Sequence, residues 1–489
     1  MKVAIAYPPL KGDKGVPLLS QNRQFQWFNE PTYIYPMVPA YAATLLKQKG
    51  YEVYWIDGIA EEWSFERFMK ELERIKPDLI FMETKTPVVK MHWEIIGHIK
   101  ERLPESKVVL AGDHVTAMPE ESLLNSTVDY VLTGGDYDFL LLNLANHITE
   151  GEKLESGIWF RRDDNIQNTG KFVLNHELNS IPLIDRNQTK WELYAYKNGN
   201  YCKTPGTYTM VGRDCWWGKC TFCSWTTLYP DYRARKSDSL LNEIGMLIDE
   251  YKVKEIFDDT GTLPAGKWLR DFCSGMIEKG YNDKIAFGCN MRFGALEKED
   301  YILMEKAGFR MVLFGLESAN QKTLDRLNKG VSVERIVKEL KWASKAGLEP
   351  HITLMFGYPW ESREMAKNTL ELGKMLLRKG YASTVQATVV IPYPGTPLFD
   401  SCRKENLLKT LDWERYDMKE PIMITPMKDE ELMGLIQGIY KVAFHPEFIL
   451  RKVSKIRSFE DIKFMYRAGK KVIGHIFDFS KKWVRGRYQ

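Results

Sequence analysis

Over residues 1–150 the apolar positions switch between two periods. Short β-rich runs, VAIAYP (3–8), YEVYWID (51–57), DLIFMET (78–84), KVVLAG (107–112) and VDYVLTG (128–134), read as strands. Between them, YAATLLKQKG (41–50) and FERFMKELERIK (65–76) place apolar residues at i, i+3 and i+4, as an amphipathic helix does. Gly50 suits the end of the first helix. The alternation predicts a doubly wound parallel sheet, a fold that binds ligands at the carboxyl ends of its strands. Those ends read YPPLKG, ETKTP, AGDHVTAMP and TGGDYD, rich in Gly and Pro. From 151 to 205 the alternation stops. IWFRRDDNIQNTGKFVLN predicts a hairpin around Asn168–Gly170, and SIPLIDRNQTKWELY an extended linker. It resumes over 206–400 with six strand candidates: TYTMVG, EIFDDT, IAFGCNMRF, MVLFGLES, PHITLMFG and VQATVVIPYP. Helical patterns at 239–252 and 333–347 fall between them. Six βα units predict a partial (β/α)6, TIM-like barrel with its site at the carboxyl ends of the strands. Residues 401–489 read as a mainly helical region.

Composition narrows the class. The chain has 489 residues, 44% hydrophobic and 27% charged, which predicts a globular protein of more than one domain. No apolar run reaches the ~18 residues of a membrane span. MKVAIAYPPLKGD lacks a small-residue cleavage site and reads as a buried first strand, so a cytoplasmic protein is expected. Seven cysteines, an odd number, argue against a disulfide framework. The net charge of +4 conceals an asymmetry: from Pro446 onward there are 12 Lys and Arg against 4 Asp and Glu. That tail mixes apolar and basic residues at helical spacing. It predicts either a helix packed on the barrel with a solvated basic face or a segment that touches an anionic membrane surface. A basic segment without a recognition motif does not predict specific nucleic-acid binding.

The densest chemistry is GRDCWWGKCTFCSW (212–225), where Cys215, Cys220 and Cys223 follow the first strand of the second domain. Three thiolates on one loop fit an iron–sulfur cluster that leaves one iron open. A four-ligand zinc site with Cys202 is the alternative. The interleaved aromatics would form a dry wall around a reactive metal.

This loop resembles that of radical S-adenosylmethionine (SAM) enzymes, with C-x4-C-x2-C here against their usual C-x3-C-x2-C. Further motifs follow in barrel order. FDDTGT (257–262) stands where the family contacts the methionine amino group, implicating Asp258, Asp259 and Thr260, although Asp also favours helix N-termini. CNMRFG (289–294) offers Arg292, whose planar fork suits a carboxylate. FGLES (314–318) offers Glu317 and Ser318, LMFGYPWES (354–362) offers Gly357 beside the adenine, and IPYPGTPLF (391–399) offers Pro392. Phe222, within the cysteine loop, completes the SAM contacts the resemblance implies.

Upstream, PPL (8–10), YAATLLKQKGYEVYWIDG (41–58), PDLIFMETKTP (77–87) and AGDHVTAMPEE (111–121) resemble the Rossmann-like cobalamin-binding domain commonly fused to this barrel. The usual D-x-H-x-x-G after the first strand is absent, so His114 is not assigned as the cobalt ligand. The contacts implied are Pro9, Leu10, Thr84, Thr86, Gly112, His114, Thr116, Gly134 and Gly135. A domain that kept the fold and lost the cofactor is the bland alternative. The expected division is 1–150 cobalamin domain, 151–205 linker, 206–400 barrel and 401–489 helical region.

The resemblance implies a cobalamin-dependent enzyme that uses a [4Fe–4S] cluster to cleave SAM reductively. The 5′-deoxyadenosyl radical then attacks an unactivated carbon, which acid–base groups cannot activate. C-methylation is the expected outcome. Oxidative ring closure, as in anaerobic porphyrin cyclases, and C–C coupling of lipids are the alternatives within the class. A non-catalytic cobalamin- or metal-binding regulator is the alternative outside it. No side chain is assigned as catalytic beyond the cofactors. The expected partners are an electron donor of flavodoxin or ferredoxin type and a small or lipid-like substrate. On the membrane reading of the basic tail, peripheral contact with the inner membrane face is added.

Overall fold

The computed structural model describes residues 1–10, 14–19, 25–29, 31–162 and 165–454, with Ile462, Met465, Tyr466 and Gly469. Most of the basic tail therefore lies outside the described residues.

The amino-terminal strands form where the apolar runs predict. Lys2–Tyr7, Glu52–Asp57, Leu79–Glu83, Lys107–Ala111 and Tyr130–Leu132 make a parallel sheet in which the first strand lies between the second and third. Leu79–Glu83 is buried along its whole length, as a central parallel strand covered on both faces must be. Helix Phe65–Ile75 starts at Ser64, whose side chain accepts from the Arg67 N–H, and puts Phe68, Met69, Leu72 and Ile75 into the core.

The segment expected as a linker instead extends this sheet. Ile158–Arg162 pairs antiparallel with Tyr130–Leu132, and Asn165–Asn168 forms the outer edge. Arg162 pairs with Asn165, so the hairpin's two strands are Ile158–Arg162 and Asn165–Asn168, and Asn168–Gly170 is not the turn that joins them. The Asn-Thr-Gly sequence is a real turn, with Asn168 Oδ1 accepting from the Gly170 N–H, but it ends the strand instead of joining two.

The barrel strands are Gly206–Thr209, Glu255–Asp258, Ala286–Met291, Phe309–Glu317, Glu349–Phe356 and Thr384–Val389, all parallel and in chain order. Among the described residues no pairing joins the first strand to the sixth, so the barrel is open. Helix Val333–Ala346 is capped by Ser332 and closes on Gly347, and Arg363–Lys379 is capped by Ser362 and closes on Gly380. After the barrel, helices Pro397–Lys404, Asp429–Tyr440 and Pro446–Val453 follow, as the mainly helical reading expects.

The two sheets meet at their carboxyl ends. Arg213, beside the cysteines, donates to Asp138 at 2.5 Å and Asp136 at 3.4 Å, both buried just after the first sheet's last parallel strand, where helix Tyr137–Glu150 begins. Arg233 adds a 2.6 Å contact to Asp136. Across the same junction Trp413 Nε1 donates to Glu121 at 2.9 Å.

Candidate active site

The cysteine loop leaves the first barrel strand through a two-residue ribbon, Gly212–Arg213, paired antiparallel with Arg233–Ala234. The second strand braces it. Asp258 accepts from Thr209 Oγ1 at 2.8 Å and from the Val211 N–H at 3.1 Å, while Thr260 Oγ1 accepts from the Gly212 N–H at 2.8 Å. Asn290, on the third strand, donates to the carbonyls of Asp258 and Thr260. Gly261 completes the fit, since a Cβ there would stand 3.0 Å from Asp214 Oδ1 and 3.2 Å from the Cys215 nitrogen.

Asp258, Asp259 and Thr260 are thus buried beneath the loop rather than facing open space. Their neighbours Gly261 and Thr262 reach the cavity instead. The sequence offered both a ligand role and a helix-cap role for the Asp pair. The geometry shows a third use, bracing one strand end against the next.

Cys215, Cys220 and Cys223 all line one cavity of about 170 Å³ at the carboxyl ends of the strands. Cys215 Sγ lies 3.0 Å from Thr262 Oγ1. Burial pushes the Cys220 and Cys223 thiols up from their ordinary values. A cation is therefore what would hold them as thiolates, and metal binding at cysteine is coupled to that proton release. Among the described residues no three His, Cys, Asp or Glu side chains converge as ligands of a single ion. Cys202 cannot complete a zinc site with them, because its N–H donates to Glu255 at the amino end of the second strand, the far end of the barrel. Three cysteines along one wall fit a cluster, in which each thiolate holds its own iron.

Charge is arranged around the same cavity. Arg292 stacks on Trp217 with its guanidinium carbon 4.0 Å from the ring centroid, and donates to the Lys329 carbonyl. Lys329 Nζ donates to Glu317 Oε1 at 3.2 Å, and Thr353 Oγ1 donates to Glu317 Oε2 at 3.4 Å. Glu317 sits at a bulge with φ of 64°, which turns its side chain into the cavity. Gly315 leaves room for it: a Cβ there would stand 2.2 Å from Glu317 Oε1. A cavity with two cations (Arg292 and Lys329), two carboxylates (Asp214 and Glu317) and an aromatic wall at Phe222 and Trp225 suits a zwitterionic amino acid joined to a flat, partly apolar group. SAM is such a molecule, so the residues fit it.

Of the other expected SAM contacts, Phe222, Arg292 and Glu317 line the cavity, while Ser318, Gly357 and Pro392 do not. Ser318 donates to Glu361 at 2.7 Å in a buried web with Asn320 and Thr369. Gly357 packs beneath Leu432 of the carboxy-terminal helices. Ile391 and Tyr393, on either side of Pro392, reach the cavity in its place. Lys329 was not foreseen. Its one local signal is the Asn-Lys-Gly turn, in which Asn328 and Gly330 have positive φ and a Cβ on Gly330 would enter the Trp217 ring at 2.4 Å.

At the first sheet's carboxyl edge the expected contacts are engaged with one another. Thr84 Oγ1 meets His92 at 2.7 Å, Thr86 Oγ1 meets His114 Nδ1 at 3.2 Å, and His114 Nε2 meets Glu121 at 2.9 Å. Thr116 Oγ1 donates to the Gly112 carbonyl and accepts from the Gly134 N–H. Pro9 and Leu10 are buried, with Pro9 against Gly58. A Cβ on Gly112 would stand 2.2 Å from the Thr84 carbonyl oxygen, one on Gly134 would stand 2.5 Å from the Phe172 ring, and one on Gly135 would stand 1.8 Å from the Tyr229 ring. These side chains and glycines contact other parts of the protein at a packed junction, so none of them is assigned here as a direct cobalamin contact.

A three-cysteine loop at the mouth of an open parallel barrel, which meets a doubly wound sheet at the carboxyl ends of its strands, defines a radical SAM enzyme with a B12-type domain. Residues 209–373 match the Radical SAM superfamily and residues 31–139 match the B12 binding domain, and the chain belongs to the family that joins the two. Its relatives include the bacteriochlorophyllide d C-8(2)-methyltransferase of Chlorobaculum tepidum, 31% identical over 70% of this chain and 71% of that protein. An uncharacterized methyltransferase of Pyrococcus horikoshii, PH0819, is 25% identical over 87% of this chain and 91% of its own length. The anaerobic magnesium-protoporphyrin IX monomethyl ester cyclase of Cereibacter sphaeroides is 27% identical over 79% and 63%. In fold, the chain is similar to the radical SAM methyltransferase TsrM of Kitasatospora setae, solved with cobalamin and a [4Fe–4S] cluster. The TM-score is 0.68 at 14% identity, covering 96% of this chain and 99% of that one. The cofactor set these two domains imply is a [4Fe–4S] cluster, SAM and cobalamin. Among the described residues no helix is long and apolar enough to cross a membrane.

Proposed function

We propose that the protein is a cobalamin-dependent radical SAM C-methyltransferase acting on an unactivated carbon. The observation that carries the SAM chemistry is the single cavity that joins Cys215, Cys220 and Cys223 to Arg292, Glu317 and Lys329. The methyl-transfer outcome rests on the methyltransferase relatives and the B12 binding domain. When bound, the cluster supplies the electron that cleaves SAM, and cobalamin carries the methyl group.

The chain's own residues do the rest. The three cysteines would hold three irons of the cluster and leave the fourth for SAM. Arg292 and Lys329 would receive the methionine carboxylate, and Glu317 the ammonium. Phe222 and Trp225 exclude water from the reacting centre. The electron comes from an external donor of flavodoxin or ferredoxin type. The tail beyond Pro446 provides peripheral membrane contact from the cytoplasmic side.

The test is anaerobic reconstitution with iron, sulfide and hydroxocobalamin, followed by incubation with reductant and SAM labelled in its methyl group. The expected result is about four irons and one cobalt per chain, reductant-dependent 5′-deoxyadenosine, and label that moves from SAM to cobalamin. Deoxyadenosine formed without any bound cobalt would remove methyl transfer through cobalamin and leave the cyclase reading. Zinc without stable iron would sink the radical reading.

A further inference from the structure

The barrel interior holds a second cavity that the SAM reading leaves unused. Its volume is about 260 Å³, larger than the cavity beside the cysteines. Strand register stacks the two. Leu313, His351 and Thr384 form one layer across the fourth, fifth and sixth strands, and Gly315, Thr353 and Gln386 form the next layer toward the carboxyl ends. Two residues of strand span about 7 Å, so a single step of the pleat separates the chambers. Leu313 and Gln386 line both.

A closed eight-stranded barrel fills such layers with side chains. Here six strands leave a gap, and the wall is completed by Leu18 and Phe28 from the antiparallel strands Val16–Leu18 and Gln26–Phe28 and by Ile439 and Phe448 from the carboxy-terminal helices. The partition is a pair of side-chain amides. Gln386 Nε2 donates to Gln26 Oε1 at 3.2 Å, and Gln26 Nε2 reaches Met418 Sδ in the upper cavity at 3.8 Å. Long side chains of this kind swing aside without disturbing the strands.

Two features point to the occupant. The wall joins apolar side chains, with Met311 and Val385 adding to the residues just named, to a polar side at Arg310, Glu349 and Thr384, and there His351 faces the chamber with Nε2 buried and without a hydrogen-bond partner. His351 Nδ1 is engaged by Thr384 Oγ1 at 2.8 Å, and burial lowers the ring's pKa to about 4, so it is neutral. An unmet buried polar atom costs stability that a ligand oxygen or hydroxyl would recover. Outside, helix Pro446–Val453 contributes Phe448 and Lys452 to the chamber and turns Ile449, Leu450 and Val453 to the exterior, next to the exposed Phe444. An apolar surface patch beside an apolar chamber is where a chain would be drawn from a lipid surface.

We propose that this lower chamber receives the apolar chain of a lipid substrate, with His351 Nε2 meeting an oxygen on it. The chamber presents a carbon of that chain past Leu313 and Gln386 to the cavity beside the cysteines. The inference rests on reading the upper cavity as the SAM site.

Radiolabelled palmitate is the probe, measured by equilibrium dialysis against the reconstituted enzyme, with reductive SAM cleavage assayed on the same wild-type preparation. Wild type is expected to bind palmitate saturably. Ala443→Trp, which fills the chamber beside Phe448, is expected to weaken binding about tenfold or more. His351→Leu is expected to weaken it about fivefold. Equal iron content and thermal midpoints in all three proteins would show intact folds, and either variant alone suffices if the other does not fold. No saturable binding by a wild type that cleaves SAM, or equal binding by wild type and folded variants, overturns the inference. A wild type whose palmitate binding responds to these substitutions but which fails to cleave SAM overturns the reading of the upper cavity and leaves the chamber standing.

Discussion

At the carboxyl edge of the first sheet, Gly112, Gly134 and Gly135 press against Thr84, Phe172 and Tyr229. At the carboxyl edge of the barrel, Gly261 and Gly315 make room for Asp214, Cys215 and Glu317 beside an open cavity. Both edges are rich in glycine and polar residues, and both belong to parallel sheets whose ligands gather at that end. One edge closes on protein and the other stays open. A strand-end glycine therefore reports only that something comes close. Whether that is a ligand or another stretch of chain depends on residues far away in sequence, here Phe172 and Tyr229.

The comparison breaks most visibly at the cysteines. Cys220→Ala is expected to lose the cluster, with iron per chain falling to background and SAM cleavage becoming undetectable. A variant that keeps four irons and full turnover would show that Cys220 is not a ligand. The next largest effect belongs to Lys329→Met, which leaves Glu317 without its ammonium partner. Hydrogen bonds to charged groups contribute about 1.5–3 kcal/mol, so SAM affinity should fall by about 10- to 100-fold while the iron content holds. Unchanged affinity would take Lys329 out of the SAM site.

Gly135→Ala sharpens the contrast between the edges. The added methyl meets the Tyr229 ring at 1.8 Å, and overpacking of this kind costs about 1–3 kcal/mol. The loss should appear in the unfolding midpoint of the cofactor-free protein and be relieved by Tyr229→Leu. If Gly135 served a cofactor instead, the cofactor-free protein would keep its midpoint and only cobalamin affinity would drop.

How far the sequence could be read follows from the same contrast. Eleven strands were visible because buried parallel strands are nearly continuous apolar runs, as Leu79–Glu83 shows. The hairpin's reversal was not, because Asn168–Gly170 makes a turn that leaves the sheet. The three cysteines were legible because their chemistry is local to nine residues. Asp258 and Ser318 stood at the right strand ends, yet their side chains point into braces formed with Thr209 and Glu361. Which side of a strand end faces the cavity depends on bulges such as the one at Glu317, and no residue pattern announces it. Lys329 arrives on a turn between the short helix Gln321–Arg326 and helix Val333–Ala346 of the same crossover, and hydrophobic periodicity does not reach it.

The smallest expected effect concerns the closed edge itself. His176 is held between Asp136 at 3.1 Å and Glu155 at 3.0 Å, and Asp136 also receives Arg213 and Arg233. Burial opposes the imidazolium, but the two carboxylates outweigh it and raise the His176 pKa to about 9. A raised folded-state pKa stabilises the fold fully below the unfolded value, near 6.5, and the contribution is lost as pH climbs through 9. Asp136 behaves oppositely. Despite its burial, hydrogen bonds from His176 and Arg233 and the Arg213 charge hold it well below the usual carboxylate range, so its contribution is lost only in acid. His176→Gln should therefore lower the unfolding midpoint at pH 6, and the gap to wild type should close between pH 7 and 10. A gap that stays constant over that range would mean that His176 acts by packing on Phe139, whose ring stacks on it at 4.1 Å, and that the closed edge is held by shape rather than charge.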